Sequence, residues 1–574
     1  MNNPSQPFTA WLAATALCLA VLAGCGQEQA TPGAAGDSEA ATREPKRLTI
    51  GMAQYPATWH PNIENLVAKS YVLAMTMRPM THYNHDWQNA CKLCEELPTL
   101  ENGLAVLEDT PDGKPGMAIT MSIPEGVTWG DGTPVTTEDV QFTWEVGRHP
   151  MSGTNFREFY RSAYALDVID ERTFTIHQDR RTFLYATMPV FIVLPNHIER
   201  PVFEGAPEEY RRRNTYDADP TNPGLYYGPY LISNVQRGAQ VTLTRNPHWY
   251  GETPYFDEIV VRIIEKTTTL EANLLSGTID MIAGELGMQV DQALSFEKRH
   301  GDDYNILYKS GSLYEHIDLR LDNPILADKR VRQALLYALD RQALVDQLFE
   351  GKQLVAHSPI PPEDAVHFKD IPRYEHSLEK AVELLEAAGW TLPDGSDIRV
   401  NAAGEPLTIE FNTTAGDKTR ELTAQVLQAQ WRLAGFDIRI RNETPRVLFS
   451  QSLSERKFTG MAMYAWSQAP EPVPRATMHS QRIPSPENNF SGQNYTGFSS
   501  DRVDELIVAL ENTLTLEERL PLWREVQEIY IEEAHSLPLM FRANAFILPK
   551  WLKGVRPTGH FMQSTLWIEE WRRE

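Results

Sequence analysis

The chain has 574 residues, 42% of them hydrophobic and 23% charged, an ordinary globular composition. At roughly 100–200 residues per domain, that length accommodates more than one core. The formal net charge of −24 argues against nucleic acid as a partner, because that binding depends on neutralising phosphates with Lys and Arg.

Taken in chain order, residues 8–24 (FTAWLAATALCLAVLAG) form an uncharged apolar run, short for a membrane-spanning helix. No later run approaches the ~20 apolar residues needed to span a bilayer. The run ends in Leu22-Ala23-Gly24-Cys25, which resembles the lipobox of bacterial lipoproteins. That resemblance implies a signal peptide over 1–24, lipidation of Cys25, and a body tethered to a membrane in the periplasm or cell envelope. The segment before the run, MNNPSQP, departs from the usual pattern by lacking Lys and Arg. Residues 25–46 are rich in Ala, Gly, Ser, Thr, Pro and Glu. They are predicted to be a disordered tether reaching on the order of 25 Å.

The body opens with a strand candidate, Leu48-Thr49-Ile50-Gly51-Met52. The spacing of Ile63, Leu66, Val67, Val72 and Met75 predicts a helix over 63–80. Alternation predicts a strand over 117–123, followed by a turn at Gly130-Asp131-Gly132 and a helix starting at Thr136-Thr137-Glu138-Asp139. Three short β-runs lie within 228–264. Asp328 is placed to cap one helix with the buried stripe Val331, Leu335, Ala338, Leu339, Leu344 and Leu348, closed by Gly351. Ser377 is placed to cap a helix over 378–388, which Gly389 closes. A β-α-β unit is expected from strand 407–411, helix 418–434 and strand 438–440. The fold class is mixed α/β in two unequal lobes.

Four cysteines are present. Cys18 lies in the signal segment, which leaves Cys91-Lys92-Leu93-Cys94 with His82 and His85 upstream. The spacing is compatible with a tetrahedral zinc site, a redox pair, or a local disulfide or two buried thiols in an oxidising compartment. The disulfide is the expectation, and no metal is assigned.

The run from Ile123 to Val140, IPEGVTWGDGTPVTTEDV, resembles the signature of family 5 extracellular solute-binding proteins, which serve dipeptide, oligopeptide and nickel ABC importers. Three further blocks agree in order: Gly228-Pro229-Tyr230 leading to Arg245-Asn246-Pro247-His248-Trp249-Tyr250; Ala327-Asp328-Lys329-Arg330-Val331-Arg332-Gln333-Ala334 leading to Asp340-Arg341; and AVELLEAAGW over 381–390. Most of these residues read as structural, with Asp131 tying a turn and Arg332 and Asp340 serving packing and ion pairs. The resemblance implies a periplasmic-binding-protein fold of two lobes around a cleft, with an extra subdomain in the first lobe. The first lobe would hold 47–312 and take back 537–574, and the second would span 313–536. The crossings fall near Ser312–Ile317 and His535–Leu539 in that scheme.

The resemblance also implies an extended ligand held between the lobes by main-chain hydrogen bonds. An acidic residue shortly after a Trp would receive a peptide's amino group. Here Tyr464-Ala465-Trp466-Ser467-Gln468-Ala469-Pro470-Glu471 puts Ala469 where that carboxylate belongs, with Glu471 as the nearest substitute. The ligand-binding candidates are therefore Tyr464, Trp466, Ser467, Gln468 and Glu471, together with Gln493, Asn494 and Tyr495 after a Pro-rich loop. Tyr314 and His316 at the crossing, and Tyr55 and Trp59 on the opposite wall, complete the set. Met461 and Met463 are assigned to the core.

No Gly-x-Ser-x-Gly elbow, His-Glu-x-x-His helix or phosphate loop occurs, so neither catalysis nor a cofactor is expected. The expected function is capture of a small solute, foremost a peptide, for an ABC permease and ATPase, by a monomer. The alternatives are a metal chelate, opine or sugar as ligand, an envelope sensor, or an envelope hydrolase.

Overall fold

A computed structural model describes residues 46–574. The lipobox Cys25 and residues 25–45 of the tether lie outside the described residues, whereas Lys46, expected in the tether, donates its amide to Asp257 at 2.6 Å. Among the described residues no helix is long and apolar enough to cross a membrane.

The first strand, Arg47–Met52, buries Leu48, Ile50 and Met52 completely. It pairs in parallel with Glu258–Ile263, which continues antiparallel to Gln240–Arg245 and then Tyr230–Gln236. On its other side lies Met281–Ile282 and, antiparallel to that, the long strand Ser536–Pro549. Ser536–Pro549 runs against Tyr304–Leu319, from Tyr304↔Pro549 at one end to Asp318↔Ser536 at the other. Beyond it come Met461–Ser467, Thr408–Thr414 and Asp437–Glu443, the last two parallel and joined by helix Lys418–Ala434. The expected β-α-β unit is present there.

One continuous sheet thus serves two cores. One gathers Leu48, Ile50, Trp129, Tyr230, Val261 and Trp571; the other gathers Ile317, Leu335, Phe411, Trp431, Met463 and Leu539. The chain passes between them along Tyr304–Leu319 and returns along Ser536–Pro549. The ladder of this strand pair is interrupted between Ser310 and Tyr314. There the Ser312 amide bonds the Gly559 carbonyl at 2.8 Å. A Cβ on Gly311 would lie 1.8 Å from that carbonyl oxygen, so only glycine fits. A separate antiparallel sheet of Ala105–Asp109, Pro115–Ser122, Thr173–Gln178 and Ala163–Val168 packs on the first core.

Local signals hold well here. Gly132 adopts φ +89°, and Asp131 Oδ1 accepts the Thr133 amide at 2.9 Å. Helix Thr137–Arg148 begins with a capping box in which Asp139 accepts the Thr136 amide at 2.9 Å. Asp328 and Ser377 both cap through their side chains.

Two helices differ from expectation. The one over 63–80 is confined to Val67–Leu73. The Met75 carbonyl is taken by the Tyr230 amide at 3.1 Å, and Pro79 has no amide with which to continue the ladder. The single helix after Asp328 is two, Lys329–Tyr337 and Arg341–Phe349. The Asp340 amide bonds Gln430 Oε1 at 3.0 Å, and its carboxylate caps the second helix through the Ala343 amide at 2.8 Å. Cys91 and Cys94 form a disulfide, so neither sulfur is a thiolate ligand for zinc in this state.

Candidate functional site

Strand Met461–Ser467 pairs with Tyr304–Leu319 so that Trp466 opposes Tyr314 and Tyr464 opposes His316. Met461 and Met463 point into the second core, and Tyr464 and Trp466 take the other face. At the end of that face lies a cavity of ≈ 260 Å³. Trp466, Ser467, Gln468, Tyr314, His316 and Gln493 contribute to its wall. A second cavity of ≈ 500 Å³ adjoins it and shares Ser467 and Gln468. Its far wall comes from the first core's side of the molecule, including Leu73, Met77, Ile192, Phe561 and Leu566. The two cavities form one interlobe cleft, mostly apolar in its outer part.

The inner wall is closely packed. Tyr314 stacks on His316 at 4.8 Å with the rings 2° apart, and its hydroxyl lies 2.9 Å from that of Tyr530. His316 Nε2 stands 3.6 Å from Asp318 Oδ1. Helix Leu516–Glu533 adds Trp523, Gln527 and Tyr530, and the start of the return strand adds His535 and Ser536. The sequence places a crossing at His535 but marks neither that residue nor Trp523 and Tyr530 for the site. No local pattern shows which face of that helix is turned to the cleft.

Six expected site residues sit elsewhere than anticipated. Tyr464 is fully buried, with its hydroxyl on Asp318, and supports the wall from behind. Burial pushes its phenol well above the ordinary range. Tyr495 packs beside it in the same apolar cluster. The Asn494 amide is used up within its own loop, donating to Phe498 O at 2.8 Å and His479 O at 3.2 Å. Tyr55 and Trp59 meet edge to face at 5.9 Å and line a separate surface groove with Arg211 and Arg237. Glu471 is held by Arg519, at 2.9 Å between Nη2 and Oε2, and by Trp523 Nε1 at 3.1 Å. That carboxylate is already neutralised and does not face the cleft as a free anchor. Ala469 lies exposed on the outer cavity.

Beneath the 471 loop, Asp364 accepts the amides of Glu471 at 2.8 Å and Val366 at 3.1 Å. Burial outweighs these bonds, and with the nearby Glu471 charge it pushes the carboxyl up to about 6. The folded chain therefore keeps this proton up to about pH 6, whereas the unfolded chain loses it near the ordinary 3.8. The stability that Asp364 contributes is lost as pH rises through that window. In urea unfolding, the advantage of wild type over Asp364→Asn is expected to shrink between about pH 4 and about pH 6.5.

Among the described residues no three His, Cys, Asp or Glu side chains gather as a metal site. The fold and cleft define a two-lobed α/β binding protein. Residues 104–485 match the family described as bacterial extracellular solute-binding proteins, family 5 middle region, and the chain belongs to that family. It is 25% identical over 481 residues to the oligopeptide-binding protein AppA of Bacillus subtilis, covering 82% of this chain and 83% of that one. Among solved structures it is similar to the oligopeptide-binding protein of Thermus thermophilus complexed with pentapeptide. That match has TM-score 0.69 and 28% identity over 92% of this chain and 96% of the other. NikZ of Campylobacter jejuni in complex with Ni(L-His) matches with TM-score 0.71 and 21% identity, over 92% and 99%.

Proposed function

We propose that this protein is the substrate-binding component of an ABC import system, capturing a peptide in the interlobe cleft and delivering it to a permease and its ATPase. The observation that carries this reading is the pair of contiguous cavities, one walled by Leu73 and Met77 of the first core and the other by the separate cluster of Ile360, Met478, Trp523 and Tyr530, bridged by Ser467 and Gln468. A ligand there touches both lobes at once, so only the closed form makes all its contacts, and that differential affinity drives closure. Moving a mostly open population to mostly closed takes about 5.5 kcal/mol of preference. The two antiparallel crossings, interrupted near Gly311, suit a hinge between a first lobe of residues 47–312 plus 537–574 and a second lobe of 313–536. In this reading Cys25 carries the lipid anchor, residues 25–45 are the leash, and the body works as a monomer in the envelope without catalysis. A second reading, a non-peptide ligand, draws on Ala469 and on the pairing of Glu471 with Arg519, which leave no free carboxylate at that edge for an amino terminus.

Solution scattering with and without a mixed peptide library tests the proposal: the radius of gyration is expected to fall on binding. A particle unchanged by every peptide would remove the peptide reading. The variant Trp466→Ala is expected to weaken ligand binding at least about tenfold, or ~1.4 kcal/mol. Its ligand-free stability should stay within about 1 kcal/mol, because the indole is only half-buried and its Nε1 has no hydrogen-bond partner among the described residues.

A further inference from the structure

The polar atoms facing the cleft are uncharged or already spent. Lys69 lines the outer cavity, yet its ammonium is surrounded by the carbonyls of His60 at 2.9 Å, Pro61 at 3.0 Å, Ile63 and Glu64. Asp318, the one carboxylate on the inner wall among the described residues, accepts the Tyr464 hydroxyl and faces His316. Among the same residues no Arg borders either cavity.

Neutral groups, by contrast, are left without partners there. His535 is 2% exposed, lines the inner cavity, and has no hydrogen bond at either ring nitrogen among the described residues. Its ring is fixed by stacking on Phe498 at 4.5 Å. Burial, then Arg332 and His316, push it down to about 3, so it is neutral in ordinary buffers, with one donor and one acceptor. Gln468 Oε1 and Trp466 Nε1, on the same wall, are also unpartnered, an acceptor and a donor. An anionic head entering here would be buried without a counter-ion, which is strongly unfavourable, and a cationic head would meet only Asp318, whose carboxylate already holds the Tyr464 hydroxyl. A neutral head with both a donor and an acceptor would satisfy groups that are now unmet. The ≈ 260 Å³ of space far exceeds the ~30 Å³ that one liquid water occupies.

We propose that the inner cavity selects ligands presenting a neutral hydrogen-bonding head, an amide or a phenol, read by His535, Gln468 and Trp466 without an ionic anchor. This rests on the cleft reading above and names the ligand chemistry of its inner part.

The test uses four fragments: N-acetyltyrosinamide, N-acetylglutaminamide, N-acetyllysinamide and the α-amide of N-acetylglutamate. Each is titrated while the ¹⁵N indole resonance of Trp466, assigned with Trp466→Phe, is followed. The two neutral fragments are expected to shift that resonance and to bind at least about tenfold tighter than the charged ones. Their order separates a phenol-selective from an amide-selective pocket, and either order supports the proposal. His535→Phe keeps the ring on Phe498 and should cut the preference to within about threefold. Gln468→Leu, on the half-buried loop, gives the same test should the first variant fail to fold. A lysine or glutamate fragment that binds as tightly as the neutral ones overturns the proposal. So does the absence of any shift. Peptide-induced compaction with a silent Trp466 would leave the import reading standing and remove this one; the loss of both would remove both.

Discussion

Arg420→Ala is expected to cost about 3 kcal/mol of stability at neutral pH, measured by urea unfolding. Glu315 lies on the outgoing crossing strand with its side chain 3% exposed. Arg420 grips it with two bonds, Nε to Oε1 at 2.7 Å and Nη2 to Oε2 at 3.0 Å, and spends Nη1 on Thr414 at 2.7 Å. Arg542 of the return strand reaches the same carboxylate at 3.4 Å and Gln289 at 2.9 Å. The cluster therefore ties both crossings to helix Lys418–Ala434. Removing one partner of a buried pair costs about 3–5 kcal/mol, and the lower end applies because Arg542 remains.

The sign with pH follows from Glu315. Burial pushes its carboxyl up, but Arg420 and Arg542 outweigh burial and hold it below the ordinary 4.5. Its stabilisation is present above the unfolded value and is lost as pH falls through the lower folded one. Without Arg420, burial takes over and the carboxyl moves up, so the gap between variant and wild type should narrow on acidification to about pH 4. The double change Glu315→Met with Arg420→Met should recover most of the loss, since apolar replacement of a buried pair is often neutral. A double variant as unstable as the single one would show that packing, not the ion pair, is what matters there.

Glu471→Ala is expected to cost about 3 kcal/mol in the ligand-free protein. It strips the counter-ion from Arg519, whose side chain is 6% exposed, and the acceptor from Trp523 Nε1. Arg519 keeps its bonds to Thr513 O at 3.0 Å and Leu514 O at 2.7 Å, and its place over the Phe183 ring at 4.0 Å. These fix a charge that has lost its partner. Glu471→Gln retains an acceptor for Trp523 and should recover roughly 1 kcal/mol. Were Glu471 instead a direct anchor for a ligand amine, Glu471→Ala would abolish binding and leave the ligand-free melting temperature unmoved. Calorimetry of the apo variant separates the two.

The contrast at Glu471 shows where reading along the chain stops. Its closeness to Trp466 in sequence suggests a free carboxylate at the cleft, but its partner, Arg519, lies 48 residues on. Tyr464 and Trp466 share one face of a strand by simple alternation, and the period is correct for both. What covers that face at each position is a different matter: Asp318, Phe449 and Tyr495 enclose Tyr464, while Trp466 stands at the edge of the cavity. His535 and Trp523 join the site without a sequence signal for the same reason.

The sequence by itself determined the family, the alternation of strands and helices, the Gly132 turn, the helix start at Thr136–Asp139 and the caps at Asp328 and Ser377. Apart from the family, which rests on four blocks spread along the chain, each of these is settled by residues within a few positions of one another, through backbone angles and short-range hydrogen bonds. Tertiary structure alone decided where the helix after Leu66 stops, that Asp340 begins a second helix, and which polar groups meet the cleft unpaired. Those outcomes depend on which distant amide or cation reaches a given oxygen first, and the spacing of residues along one segment carries no record of that competition.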